Sequence, residues 1–137
     1  MTMGNVKFSV LLSVYGRENP DYLNECFSSL FDQTVLATEI VLVKDGPLTP
    51  CLESTIKKWK RPLNIKLVEL PTNMGLSYAL NAGVEQCNYD LIARMDTDDV
   101  CLSHRFQTQL DFLLKHPEVD IVGGGCIKID ELGNELG

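Results

Sequence analysis

The sequence has no long hydrophobic run and comparatively little positive charge. Its 137 residues include 12 Lys and Arg against 19 Asp and Glu, a net charge of −7 that argues against a general nucleic-acid binder. The mean hydropathy is close to zero, and the longest apolar stretch, Phe8–Tyr15, is far shorter than the ~18 residues that a membrane-spanning helix requires. A chain of this length is predicted to fold as one domain with an ordinary buried core.

Common metal and nucleotide motifs are also missing. The five cysteines are scattered and form no C-x-x-C pair, which predicts reduced thiols in a cytoplasmic chain rather than a disulfide framework or a zinc site. His104 and His116 lack zinc-ligand spacing, so both are predicted to lie on the surface. No G-x-x-x-x-G-K-S/T motif occurs, and Gly123–Gly125 does not match G-x-G-x-x-G, so neither P-loop nor dinucleotide chemistry is supported.

Strand-like runs alternate with helical stripes, which is the pattern of a layered α/β fold. Most of these runs are continuously apolar, as is typical of parallel strands covered on both faces. The predicted strands are Lys7–Val14, Glu39–Lys44, Ile65–Leu70, Leu91–Met95 and Asp120–Gly123. The first two helices are predicted to begin at Pro20, after an Asn19 cap, and at Pro50, after a Thr49 cap. A third helix is predicted to run from about Leu76 to Cys87, and a fourth to end before Pro117.

A cluster of carboxylates follows the predicted strand Leu91–Met95. In an extended segment residues two apart face the same way, so Asp96 and Asp98 are predicted to converge on one cation. Carboxylate oxygens suit Mg²⁺ or Mn²⁺, ions that commonly bind substrate phosphates as well. A calcium loop is excluded because Cys101 stands where glycine is needed. The alternative is an acidic turn in which Asp99 or Ser103 caps the next helix.

Two further features each have two interpretations. Asp45 ends the predicted strand Glu39–Lys44, where it can accept a hydrogen bond from a ring N–H or a ribose hydroxyl, or form an ordinary Asp-Gly turn with Gly46. The run Lys57–Arg61 is predicted to be a cationic helix C-terminus that is favourable to the helix dipole. Its alternative is a surface patch that attracts anionic lipid.

Four motifs, in this order and spacing, resemble the family 2 glycosyltransferases of bacteria, and within them the exopolysaccharide branch that includes amylovoran-biosynthesis enzymes. The resemblance extends from about Phe8 to Asp130. Its motifs are Ser9–Tyr15, Val41–Pro47, Asn73–Gly83 and Ala93–Asp99, the last followed by Arg105 and Gln109.

This resemblance implies a GT-A-type, Rossmann-like three-layer sandwich with a mostly parallel sheet. It implies inverting transfer of a sugar from a nucleotide-diphosphate donor, usually a UDP-sugar, to a glycan or lipid-linked acceptor in cell-surface or exopolysaccharide synthesis. The predicted location is the cytoplasm, and peripheral association with the inner face of the membrane is the alternative that the basic run Lys57–Arg61 allows.

The resemblance also implies roles for individual residues. Asp98 would be the direct ligand of Mn²⁺ or Mg²⁺, with Asp96 as its partner nearer the ribose, and the metal would neutralise the diphosphate leaving group. Asp45 would bind the base. The residues implied to contact the donor nucleotide are Val14, Tyr15, Asp45, Asn73, Gly75, Asn81 and Asp96.

Two departures from the family pattern qualify these expectations. Lys44 stands where the family commonly has a second Asp. Family members also usually continue well beyond this length, so the acceptor site and the general base are expected beyond Gly137. Residues 1–137 are therefore expected to be the donor-binding part of the domain and to be inactive alone in transfer.

Two alternative functions remain open from the sequence. One is a non-catalytic module that binds a nucleotide-sugar in the same pocket. The other is a Mg²⁺-dependent phosphatase, because Asp96–Val100 matches a D-x-D-x-T/V nucleophile motif. That motif normally follows the first strand of its fold, whereas here at least three predicted strands precede it.

Overall fold

The computed structural model describes residues 6–124, in which strands and helices alternate. The elements are β1 (Ser9–Val14), α1 (Pro20–Phe31), β2 (Glu39–Asp45), α2 (Pro50–Lys60), β3 (Ile65–Leu70), α3 (Leu76–Gln86), β4 (Ile92–Arg94) and α4 (Arg105–Lys115). The four helices and four of the five predicted strands are confirmed. No helix among these residues has the length and apolar character needed to cross a bilayer.

Local side-chain chemistry explains where the first two helices begin. The Asn19 side-chain oxygen accepts a hydrogen bond from the Asp21 N–H at 2.8 Å, and the Thr49 hydroxyl accepts one from the Leu52 N–H at 3.3 Å. A proline follows each cap, where its missing N–H costs nothing. Both predicted caps are confirmed. α4 instead starts after His104, so neither Asp99 nor Ser103 caps it.

The predicted strand Asp120–Gly123 is wrong, since these residues have no regular secondary structure. Ile121 is 89% exposed and pairs with no strand in the part of the chain that is described. Two apolar residues followed by glycines do not hold a strand unless a neighbour supplies backbone hydrogen bonds and a buried face.

All strand pairs in the sheet are parallel, and the strand order is β3-β2-β1-β4. Alternate strand residues face opposite sides. Val10 and Leu12 of β1 pack with residues of α1, α2 and α4, whereas Leu11, with Val41 and Val43 of β2, packs against Ala79 of α3. The sheet therefore lies between two helical layers, as the predicted three-layer sandwich requires.

The strand order reverses beside β1. From β1 the sheet extends through β2 and β3 on one side and through β4 on the other. Open parallel sheets bind ligands outside the carboxyl ends of the strands at such a reversal. The loops after β1 and β4 are therefore where a ligand site is expected.

The cysteines differ in exposure within residues 6–124. Cys26 and Cys101 are buried, Cys87 is half-buried and Cys51 is exposed, whereas Cys126 lies outside the described residues. His104 and His116 are exposed, as predicted.

Candidate functional site

Three carboxylates gather in the turn that follows β4. One oxygen each of Asp96, Asp98 and Asp99 lies within 4.8 Å of the other two, and all three residues are exposed. The turn is closed by a hydrogen bond from the Asp99 N–H to the Asp96 carbonyl at 3.2 Å. Burial raises the pKa of Asp99, Asp98 and Asp96 raise it further, and Arg105 opposes the shift. The turn therefore concentrates negative charge at the strand-order reversal.

This arrangement fits a hard divalent cation. Oxygens that coordinate one Mg²⁺ ion at about 2.1 Å can be no more than about 4.2 Å apart, so separations up to 4.8 Å close by small rotations of exposed side chains. The donor set consists of oxygen alone, which suits Mg²⁺ or Mn²⁺ better than zinc. Asp96 and Asp98 lie close together as predicted, but a hydrogen-bonded turn brings them together and not the extended segment that the prediction assumed. Asp99 is a third candidate ligand, which the alternation argument missed.

A fourth carboxylate, which the sequence did not single out, stands next to this turn. Glu18 comes from the loop after β1, and its side chain accepts a hydrogen bond from the Thr97 hydroxyl at 2.5 Å. Burial raises the pKa of Glu18, the Thr97 hydrogen bond opposes the rise, and the charges of Asp98 and Asp96 add to it. Glu18 and Thr97 are 79 positions apart, so no local sequence pattern links them.

Asp45 is buried at the carboxyl end of β2 and organises the loop after β3. Its two carboxylate oxygens accept the N–H groups of Met74 at 2.6 Å and of Gly75 at 3.1 Å. Each oxygen keeps a second lone pair that can accept from a ligand. The structure thus gives Asp45 a role in loop geometry in addition to the predicted contact with a base, which stays a prediction.

Close backbone approaches bring three loops together at this edge of the sheet. A Cβ atom at Gly46, whose φ is +90°, would lie 2.7 Å from the Asn73 nitrogen. A Cβ at Gly16 would lie 2.9 Å from the Pro47 carbonyl oxygen. These two glycines let the loops after β1, β2 and β3 pack against one another, so that the loops carrying Tyr15 and Asn73 both adjoin the loop that follows the buried Asp45.

The other residues predicted to contact the nucleotide differ in how much they can offer a ligand. Tyr15 is 41% exposed and Asn73 is exposed, whereas the Val14 side chain is fully buried in the core, which leaves only its backbone for a ligand. Gly75 precedes α3 with a φ of +92° and open space around it, a conformation that favours glycine. Asn81 is exposed on α3 and makes no hydrogen bond to the other predicted site residues in the described part of the chain.

Lys44, which stands where the family commonly has a second Asp, forms salt bridges with two glutamates. Its amino group lies 2.6 Å from a Glu53 oxygen and 2.8 Å from a Glu69 oxygen. Burial lowers the pKa of Lys44, but the bonds to Glu53 and Glu69 outweigh it and raise the pKa overall. A cavity of about 370 Å³ opens beside these residues and is also lined by Gly46 and Pro47. The lysine is therefore neutralised locally.

Comparison with known proteins places the whole described region in one family. The model of glycosyl transferase family 2 matches residues 9–135. The chain is 47% identical over 128 residues to the amylovoran biosynthesis glycosyltransferase AmsE of Erwinia amylovora, which covers 93% of this chain and 48% of that protein. It is 43% identical over 116 residues to the UDP-Gal:alpha-D-GlcNAc-diphosphoundecaprenol beta-1,3-galactosyltransferase of Escherichia coli. That alignment covers 85% of this chain and 42% of the E. coli protein. The chain thus spans about half the length of the curated relatives it matches.

Solved structures agree with the sequence comparison. S. aureus TarS 1-349 in complex with UDP-GlcNAc superposes with a TM-score of 0.73 at 28% identity, over 82% of this chain and 32% of that one. The predicted GT-A-type fold is confirmed by this likeness.

Proposed function

The chain belongs to glycosyltransferase family 2, and on that premise we propose that residues 1–137 form the nucleotide-sugar-binding part of an inverting glycosyltransferase. The observation that carries the proposal is the cluster of Asp96, Asp98 and Asp99 within 4.8 Å at the reversal of strand order. The diphosphate of a nucleotide-sugar is negatively charged, and a cation bound at this edge of the sheet would bridge it to the carboxylates.

The proposed donor is a UDP-sugar. The name of the E. coli relative includes UDP-Gal, and the TarS structure holds UDP-GlcNAc, which supports this choice. The base would lie between Tyr15 and Asn73, and Asp45 would accept a hydrogen bond from the ring N–H of the base. Gly75 and Asn81 would lie on the sugar-phosphate side of the same loop and helix.

The proposed metal is Mn²⁺ or Mg²⁺, held by Asp98 and Asp96 with Asp99 as a further candidate. When bound, it supplies Lewis-acid stabilisation of the negative charge that develops on the diphosphate as the glycosidic bond breaks. The protein's part is to fix the carboxylates after β4 and the base-binding loops after β1, β2 and β3 on one rigid sheet edge. We assign no general base among residues 6–124.

The proposed acceptor is a glycan or a lipid-linked sugar used in cell-surface polysaccharide synthesis. The name of the E. coli relative includes a diphosphoundecaprenol-linked sugar, and that of the Erwinia relative includes amylovoran biosynthesis, which supports this choice. A lipid-linked acceptor requires the enzyme to work at a membrane face. We therefore propose peripheral attachment at the inner face through the basic cluster, defined as Lys57, Lys58, Lys60 and Arg61, all of which are exposed.

The family match and the topology favour this proposal over the phosphatase alternative. Asp96 follows β4, the fourth strand in chain order, and not the first strand as the D-x-D-x-T/V phosphatase motif would require. The non-catalytic binding module uses the same pocket, so binding of nucleotide is common to both remaining functions. Turnover of a donor separates them.

A nucleotide panel tests the proposal. With Mn²⁺ present, UDP and UDP-sugars are expected to bind the chain at least about tenfold more tightly than GDP or ADP, because a site that hydrogen-bonds the uracil ring leaves buried polar groups unpaired with another base. Isothermal calorimetry measures the affinities, and chromatography of UDP released from UDP-sugars detects turnover. Equal affinity for all nucleotides, or none, contradicts the proposal, and release of phosphate from a phosphomonoester instead would favour the phosphatase.

A further inference from the structure

The middle residue of the Asp96–Asp98 turn is buried although its neighbours are exposed. Thr97 is 2% exposed, while the Asp96 side chain is 59% exposed. The Thr97 hydroxyl lies 2.5 Å from a Glu18 carboxylate oxygen and 3.4 Å from the Ser13 carbonyl oxygen. A hydroxyl carries one proton, so the shorter contact to Glu18 is its principal hydrogen bond. The turn is thus anchored through the residue between the two candidate ligands.

Glu18 reaches this position from the other side of the strand-order reversal. It lies in the loop between β1 and α1, where its N–H donates to the Tyr15 carbonyl at 3.2 Å. Backbone pairing from β1 to the chain after β4 continues as far as the Met95 N–H, which donates to the Leu11 carbonyl at 3.2 Å. Past that point, the Glu18–Thr97 bond ties the acidic turn to the loop that carries Tyr15.

A carboxylate at the position of Glu18 is electrostatically unfavourable on its own. Its half-buried carboxylate faces the charges of Asp98 and Asp96, and like charges in a partly desolvated site repel. A neutral acceptor would hold the Thr97 hydroxyl without that repulsion. A negative group here adds to the field that attracts a cation, and the hydrogen bond it accepts is charge-assisted and correspondingly strong.

We propose that Glu18 and Thr97 are positioning residues, which hold the turn so that Asp96 and Asp98 point toward one divalent cation. This inference rests on the proposed function, because it concerns the same acidic turn. Neither residue touches the cation. Groups that orient metal ligands from behind typically account for 10–100-fold in metal affinity.

Mn²⁺ alone is the probe, and the electron paramagnetic resonance signal of the free ion reports its binding to the chain. Thr97→Val keeps the shape of the side chain without the hydroxyl, and Glu18→Ala removes the acceptor. Each is expected to weaken Mn²⁺ binding about tenfold or more. Thr97→Ser, which restores the hydroxyl donor, is expected to rescue most of the loss. Glu18→Gln, which keeps an acceptor but not the charge, is expected to bind Mn²⁺ more tightly than Glu18→Ala. The double variant is expected to lose little more than Thr97→Val, because both changes break one bond.

A matched control exists at the opposite end of β1. The Ser9 hydroxyl donates to a Glu39 carboxylate oxygen at 2.6 Å, which is also a buried hydroxyl-to-carboxylate bond between neighbouring elements. Ser9→Ala is expected to lower stability in urea without changing Mn²⁺ affinity. Far-UV circular dichroism and urea unfolding on every variant separate loss of the fold from loss of the cation site.

The outcomes distinguish this inference from the proposed function. Unchanged Mn²⁺ affinity in a folded Thr97→Val chain overturns the inference, as does an equal loss in Ser9→Ala. If Thr97→Val does not fold, the Mn²⁺ affinities of Glu18→Ala and Glu18→Gln are compared instead. Equal Mn²⁺ affinity of these two variants overturns the inference. A chain that binds Mn²⁺ but not UDP contradicts the proposed function and leaves the comparison of variants valid, whereas a chain that binds no Mn²⁺ overturns both.

Discussion

Asp45 has a structural role at the end of β2 and is also the residue proposed to contact the base of the donor. Its position at the end of an apolar strand left both a ligand contact and an Asp-Gly turn open, and only the family resemblance implied a contact with the base. Its hydrogen bonds to the N–H groups of Met74 and Gly75 could not be predicted, because they join residues about 30 positions apart. The loop after β3 therefore depends on the same side chain that is proposed to bind the base.

Asp45→Asn is expected to weaken both the fold and the nucleotide site. An amide offers one oxygen where two N–H groups need acceptors, and leaving one unpaired costs about 1–3 kcal/mol. Urea unfolding should show that loss of stability, and calorimetry should show weaker binding of UDP. Glu85→Gln, an exposed change on α3, is the matched control. Unchanged stability in Asp45→Asn would contradict the loop-organising role.

Residue types and short spacings predicted part of the acidic site. The alternation of Asp96 and Asp98 after a strand pointed to one cation, and the structure brings their oxygens together. Glu18 and Thr97 gave no such signal, because an isolated Glu before a helix cap and a Thr between two Asp residues are common in any sequence. Only the parallel pairing of β1 with β4 places them in contact.

At the scale of elements, hydrophobic periodicity and helix capping predicted most of the helices and strands. The features that they did not predict depend on contacts with neighbouring elements. Pro20 and Pro50 start helices as expected. The close packing of α3 against the sheet was not predictable from the sequence. It explains why position 83 is a glycine, because a Cβ atom there would clash with methyl groups of Leu11 and Val43. Asp120–Gly123 looked like a strand by composition but lacks a pairing neighbour among the described residues.

The basic cluster at the end of α2 retains both interpretations that its sequence allowed. Three lysines in the last turn complement the helix dipole. None of the four basic residues lies within 4.0 Å of an acidic group in the described range, so their charges remain available. Beside them, Phe31 is 48% exposed and its ring centroid lies 5.8 Å from that of Trp59. Cations beside the exposed Phe31 ring form a surface suited to anionic lipid.

Vesicle sedimentation tests this surface. Each Lys or Arg near an anionic membrane contributes on the order of 1 kcal/mol, so Lys57→Gln with Lys60→Gln is expected to weaken binding to phosphatidylglycerol-containing vesicles roughly tenfold or more. Lys115→Gln, on α4 and paired with Asp111 at 3.0 Å, is the control and should bind as the unaltered chain does. Equal sedimentation with anionic and with purely phosphatidylcholine vesicles would refute membrane attachment through this cluster.

At the scale of the whole molecule, the topology determines where charge accumulates. The reversal of strand order beside β1 brings the loops after β1 and β4 together, and each carries carboxylates. The pKa values of Glu18 and Asp99 are raised, so both groups favour folding below their unfolded pKa and lose that contribution as pH rises through the folded pKa. At neutral pH the acidic edge is therefore unfavourable on its own, and the proposed divalent cation would offset the repulsion.

The central claim is that this edge binds a nucleoside diphosphate through a divalent cation, and calorimetric titration of UDP tests it most directly. The unaltered chain and Asp98→Ala are each titrated with Mn²⁺ and with EDTA, and Asp90→Ala, an exposed Asp just before β4, serves as control. We expect Mn²⁺ to strengthen UDP binding at least about tenfold in the unaltered chain and in Asp90→Ala, and Asp98→Ala to remove most of this gain. Equal UDP affinity with Mn²⁺ and with EDTA in the unaltered chain would contradict it.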